Sequence, residues 1–247
     1  MTAANVAKFP ADSGATLASL YDLSTSAMRR IYDRRITGAP VLDAETYFPG
    51  ARRFVGVWPA LRDEALRVAE DLGQVPRFHE LMPEQAEISA NDGRDWRMLV
   101  LKAYGASLPR NTARCPVLAQ AVAADPDVLS AALSFLAPGK HVPEHRGPFR
   151  GVVRFYMGLS VPIAADGRPA AVLTIDHREH RVGNGECLLW DDTFPHEVLN
   201  RGDQVRIALL LDIRRRGMPP DMALLSGLLI SAIGLSVRLR RSRLDHA

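Results

Sequence analysis

The chain has 247 residues, 47% hydrophobic and 24% charged, with a net charge of +3. That is ordinary globular composition with enough apolar material for a core, and the length suits one all-β or mixed domain. The positive excess is small and sits largely in "RRR" (214–216) and "RLRRSR" (238–243), too local to point to nucleic acid. The two cysteines, Cys115 and Cys187, offer neither a disulfide framework nor a zinc spacing, so a cytoplasmic setting is expected.

In chain order, residues 1–15 read as disordered. They lack the basic and apolar regions of a signal peptide. Residues 15–35 have spaced apolar positions and predict a helix. "ALRDEALRVAEDLG" (60–73) predicts a second, with Gly73 as its C-cap. "WRMLVLKAYG" (96–105) predicts a strand, and 115–131 a helix broken at Pro126. Beyond it come short apolar runs: "AALSFLAPG", "VVRFYMGLSVP", "AAVLTI", "ECLLWDD" and "VRIALLLDI". The turn signals "PG", "DG", "GNG" and "RGD" separate them. Short strands at this spacing suggest a β-sandwich or barrel. The expected architecture is mainly β with flanking helices, a single domain over 16–219 with its β core at about 96–216.

The stretch "MALLSGLLISAIGLSV" (222–237) is apolar for 16 residues and is followed by the basic tail. It predicts a C-terminal helix over 220–247. Such a helix can pack on the body or on a second subunit. It can also lie on an anionic membrane through 222–243. A true span is the third option, though the run is shorter than the roughly 18 residues that suggest one.

Two histidines stand apart by context: His145 in "PEHRGP" and His196 in "DDTFPHEVLN". Imidazole binds iron, zinc or copper, but a histidine beside proline is equally a turn residue. Arg206 lies in "VRIALLLDI", where period 2 puts it on one face with Ala208, Leu210 and Asp212. Arg154 shares a face with Val152 and Tyr156. A charge in a strand this apolar is costly unless paired. Each arginine therefore meets a protein carboxylate or awaits a carboxylate ligand, which guanidinium grips bidentately.

"HRGPFRGVVRFYMGLSVP", "WDDTFPHEVLN" and "RIALLLDI", in that order, resemble the aspartyl/asparaginyl β-hydroxylases, a branch of the iron(II)- and 2-oxoglutarate-dependent dioxygenases. The resemblance is dense from Ala131 to Pro219. It implies a double-stranded β-helix, a jelly-roll or cupin-like core, in which His145 and His196 bind Fe(II). In the wider superfamily a carboxylate follows the first histidine by two positions. Here that position is Gly147, and the resemblance implies water in place of a third protein ligand. It implies that Arg206 and Ser134 hold the distal carboxylate of 2-oxoglutarate and Arg154 its other end. Glu144 and Asp192 are not expected to be ligands. Tyr156 stands where animal members have a histidine, and can still donate a hydrogen bond. Val152 stands where they have an arginine thought to hold an acidic substrate, and cannot bind a carboxylate. The implied reaction consumes O2 and hydroxylates an unactivated C–H. Three readings stay open: hydroxylation at the β-carbon of an aspartyl, asparaginyl or related amino-acid unit on a peptide or carrier; hydroxylation of a lipid acyl chain at a membrane; and a non-catalytic ligand-binding barrel.

Overall fold

The computed structural model describes the backbone of residues 25–244 and the side chains as far as residue 239. The expected disordered segment at 1–15 and the first half of the helix expected at 15–35 lie outside the described residues. A helix, α1, covers 25–33. Seven further helices precede or enter the sheets: α2 (Ala44–Tyr47), α3 (Ala51–Gly56), α4 (Trp58–Ala69), α5 (Phe78–Leu81), α6 (Ala86–Ser89), α7 (Pro109–Arg114) and α8 (Pro116–Ala123). The strands are β1 (Val41–Leu42), β2 (Trp96–Ala103), β3 (Ala106–Ser107), β4 (Val128–Leu136), β5 (His141–His145), β6 (Val152–Ser160), β7 (Ala171–Ile175), β8 (Arg178–His180), β9 (Cys187–Trp190), β10 (His196–Asn200) and β11 (Arg206–Arg214). Helix α9 (Pro220–Leu244) closes the chain.

The strands form two antiparallel sheets, one of seven strands in the order β1-β9-β6-β11-β4-β2-β3, the other of four in the order β5-β10-β7-β8. From β4 to β11 the chain passes back and forth between the two sheets, with only β7 and β8 following each other in the same one, which makes the expected double-stranded β-helix. Each strand of the large sheet has two working faces. Leu133, Phe135, Val153, Phe155, Met157, Leu209 and Leu211 point outward and pack with Phe48, Phe54, Leu61 and Val68 of the helical layer. Phe155 meets Phe48 edge-on, with ring centroids 5.3 Å apart. Such pairs add to the burial of large apolar area. The opposite faces look toward the small sheet; there the large sheet puts Ser134, Arg154 and Arg206, and the small sheet carries His145 and His196.

Several boundaries differ from the sequence expectation. Helix α4 ends at Ala69, and Gly73 lies inside a 3-10 turn (Leu72–Gln74) instead of capping it. The helix expected through 131 stops at Ala123, and Val128 already begins β4. Proline at 126 explains the stop, because the residue before a proline is pushed out of helical geometry. The helical N-terminal part also contributes a strand, since β1 adds to the large sheet by pairing with β9. The turn "PG" is real: Gly139 has φ +67°, a left-handed conformation that glycine adopts without strain.

A candidate active site between the two sheets

His145 ends β5 and His196 begins β10, and the two are direct cross-strand partners. Fifty-one positions of chain are thereby reduced to one rung of a ladder, with ring centroids 4.2 Å apart. Each ring is held the same way. Nδ1 of His145 donates to the carbonyl of Pro143 at 2.8 Å, and Nδ1 of His196 donates to the carbonyl of Phe194 at 2.9 Å. A carbonyl only accepts, so the proton stands on Nδ1 and leaves Nε2 with its lone pair. Burial pushes both imidazoles below their usual pKa, His196 to about 3, where the neighbouring His145 ring adds to the effect. Two neutral imidazoles with free Nε2 atoms are what a metal needs. Among the described residues, no third histidine, cysteine, aspartate or glutamate completes a three-residue metal set with them.

Gly147 shows why. A Cβ placed on it would fall inside the carboxylate of Asp192. The backbone of the two residues is joined by a 2.7 Å bond from Gly147 N to Asp192 O. Any side chain at 147 would displace that carboxylate. Asp192 is buried with Oδ1 unpartnered, and burial raises its pKa to about 7 despite the nearby Arg154.

The two arginines diverge. Arg154 forms ion pairs with Asp212 at 2.7 Å and Asp192 at 3.3 Å. Asp212 is opposite Arg154 on β11, and Trp190, two residues before Asp192, is opposite it on β9. Arg154 therefore meets protein carboxylates. Arg206 is 2% exposed and meets none among the described residues. Its guanidinium touches Ser134 Oγ at 3.3 Å and lies over the Tyr156 ring at 5.6 Å, and its Nε has no partner. Ser134 faces Ala208 across the β4–β11 ladder and also accepts from Trp96 Nε1 at 3.0 Å. Tyr156 is buried beside Trp190, Leu173, Ile175 and Ala208.

The expected residues thus assemble in one inter-sheet space: Arg206, Ser134 and Tyr156 toward one end, the histidines against Trp190, and Arg154 with its acids toward the other. Trp96, Trp190, Asp192 and Asp212 belong to the same space; sequence reading set Asp212 on the face of Arg206 and kept Asp192 from the metal, and singled out neither tryptophan. Trp190 lies 5.9 Å from His196, ring centroid to ring centroid, with its indole N–H buried and unpartnered. A buried unpaired donor, acceptor and guanidinium together mark a space shaped for a polar ligand.

Beneath the site, Asp191 fixes the turn that presents His196. It takes ion pairs from Arg215 at 2.6 Å and Arg150 at 3.1 Å, and accepts from the Thr193 hydroxyl at 2.6 Å.

Among solved structures, the likeness is to parts of cupin proteins, such as the Schizosaccharomyces pombe Cnp3 cupin domain. The TM-score is 0.33 and the identity 8%, covering 48% of this chain and 64% of that one, too partial to argue from. The chain is 33% identical over 178 residues to the ornithine lipid ester-linked acyl 2-hydroxylase of Rhizobium tropici, covering 72% of this chain and 61% of that protein. It is 25% identical over 141 residues to human aspartate beta-hydroxylase domain-containing protein 2, covering 53% of this chain and 37% of that protein. It therefore spans less than two thirds of the length of these relatives. The model of one family, aspartyl/asparaginyl beta-hydroxylase, matches residues 56–216, which include every site residue described above. The chain belongs to the aspartyl/asparaginyl β-hydroxylase family.

Proposed function

We propose that this chain is an Fe(II)- and 2-oxoglutarate-dependent hydroxylase that acts on the acyl chain of a lipid. The observation that carries the cosubstrate is Arg206, a buried guanidinium with no carboxylate partner among the described residues. A buried charge of this kind calls for an anion. Ser134 and the Tyr156 ring give a dicarboxylic acid two further contacts at that end. Nε2 of His145 and of His196 would hold the metal. Iron(II), 2-oxoglutarate and O2 together would supply the oxidising chemistry that converts an unactivated C–H into an alcohol, with succinate and carbon dioxide as the other products.

The protein's own residues orient and shield. The carbonyls of Pro143 and Phe194 hold both rings in the ligating tautomer. Arg154 holds Asp192 and Asp212 in place through its two ion pairs. Trp190, Ile175 and Leu173 exclude water from the inter-sheet space.

For the substrate, two observations favour an acyl chain. Val152, where the resemblance puts a substrate-holding arginine in the animal members, packs into an apolar cluster with Phe149, Met222 and Ile230 and offers no charge to an acidic substrate. The relative from Rhizobium tropici is named for a lipid acyl 2-hydroxylase. The β-carbon of an aspartyl, asparaginyl or related amino-acid unit is the second reading, supported by the family's name. Work in a reducing cytoplasm is part of the proposal and suits two free cysteines.

The test is anaerobic titration of apo protein with Fe(II) and 2-oxoglutarate, following the weak visible charge-transfer band. We expect a band that His196→Ala abolishes and that Arg206→Ala moves to far higher 2-oxoglutarate. No band in folded, metal-loaded protein would sink the reading in favour of a ligand-binding barrel. Turnover assays with acyl lipids and with aspartyl peptides then separate the two substrates.

A further inference from the structure

Helix α9 is apolar on two opposite faces, and the fold uses only one. Met222, Ser226, Ile230 and Gly234 turn inward and are buried. Met222 and Ile230 pack with Tyr32, Phe149 and Val152, Gly234 lies against the Tyr104 carbonyl, and Ser226 Oγ lies 2.7 Å from the Tyr32 hydroxyl. The other face carries Leu224, Leu228, Leu235 and Leu239, exposed to 67, 62, 59 and 79%. At 3.6 residues per turn these four leucines fall within an arc of about 60°, opposite the buried face. From Met222 to Val237 there is no charged residue. Arginines then follow at 238, 240, 241 and 243.

We infer that the outer face of α9 docks in the plane of an anionic lipid bilayer, with the leucine stripe in the acyl boundary and the arginines among the headgroups. A stripe of leucines ending in a cationic cluster is the composition of an interfacial helix, and the two attractions add. The stretch Pro220–Leu239 is apolar and long enough to cross a membrane by composition. Its inner face is committed to the body, however, so crossing would strip the cover from Tyr32, Phe149 and Val152. A second copy of the chain is the other possible cover for the leucines, and the experiment below separates it from lipid.

The location gives the docking a purpose. A Cβ on Gly151 would strike Ser226, so α9 lies directly on the segment that runs from His145 into β6. Between the leucine stripe and that segment stands only the thickness of one helix, about 10 Å. This docking is independent of the hydroxylase reading, since it requires neither iron nor turnover.

The experiment is flotation of the full chain with vesicles of phosphatidylcholine alone and of phosphatidylcholine with one third phosphatidylglycerol. Wild type is compared with L224S/L228S/L235S/L239S and with R238Q/R240Q/R241Q/R243Q. We expect wild type to float with the anionic vesicles and about tenfold less with the neutral ones. The leucine variant should lose binding to both while melting at the wild-type temperature, because its substitutions are on the exposed face. The arginine variant should lose the anionic preference. Wild type that stays at the bottom of the gradient, or a leucine variant that floats equally well, overturns the inference. So does a dimer in light scattering that the leucine substitutions dissolve while vesicle binding is absent, which would make this face a self-interface.

Discussion

Arg206 and Arg154 stand on neighbouring strands and face the same space, yet substitution should affect them in opposite ways. Arg206 carries a buried charge that no carboxylate among the described residues balances. Arg206→Met is expected to leave the apo protein as stable or up to about 2 kcal/mol more stable, by removing that charge. It should also abolish the rise in melting temperature that 2-oxoglutarate gives the wild type. Arg154→Met strands Asp192 and Asp212 without a counter-charge and should cost about 2 kcal/mol, a value reduced for the partial exposure of the pair. Urea midpoints of both variants, with and without cosubstrate, check this. If Arg206→Met were the more destabilising, Arg206 would be a structural cation. Asp192 adds a pH dependence with a definite sign. Its folded pKa, raised by burial to about 7, lies above the ordinary value of about 3.9. Between those values the folded chain keeps a proton that the unfolded chain has lost, so stability falls as pH rises through this window. Compared with Asp192→Asn, the wild type should be best placed below about pH 4, losing ground until about pH 7 and holding level beyond. A flat difference across that range would place the Asp192 pKa elsewhere.

At the scale of elements, the long apolar runs were legible because their β-branched and leucine-rich texture has few other uses. β4, β6, β7, β9 and β11 all appear where those runs stand. β5 and β10 were not legible as strands. "HVPEH" and "HEVLN" are short and polar, and they are strands only because β10 pairs with both β5 and β7. The sequence set the two histidines apart by context alone, and their pairing on one rung depended on long-range register. The same limit hid Asp212 as the partner of Arg154. The sequence put Asp212 on the inner face with Arg206, but only the β6–β11 register opposes it to Arg154. Asn200 shows how that register is kept. Its side-chain amide donates to the carbonyls of Leu136, Ala137 and Gln204, at 2.8–3.1 Å, so it ties the end of β10 to the end of β4 and to the turn before β11. Asn200→Ala takes a donor from the carbonyls of Leu136 and Gln204 and leaves the Ala137 carbonyl with only the Lys140 N–H. A loss of about 2–3 kcal/mol is expected by chemical denaturation, with weaker 2-oxoglutarate binding because Arg206 follows that turn. An unchanged midpoint would show that water replaces the amide.

For the whole molecule, the C-terminal helix decides how the protein can be cut. Sequence alone left open whether α9 packs on the body, on a second subunit or on a membrane, and its inner face packs on the body. Met222 and Ile230 complete the cluster that contains Tyr32, Ile36, Leu129, Phe149 and Val152, and the Tyr32 hydroxyl and Arg35 bond to Ser226 and Asp221. Removing 220–247 would expose those apolar side chains, and each large one carries roughly 1.5–3 kcal/mol of burial. Phe149 and Val152 flank the segment between His145 and Arg154, so that loss reaches the site. The truncated chain is expected to melt well below the full chain, bind a hydrophobic dye, and bind Fe(II) and 2-oxoglutarate weakly, even in the absence of any membrane. Full cosubstrate affinity and an unchanged melting temperature after truncation would show that α9 is separable. The exposed leucines can be changed one face at a time without this damage, because the helix buries a different set of residues from those it presents to solvent.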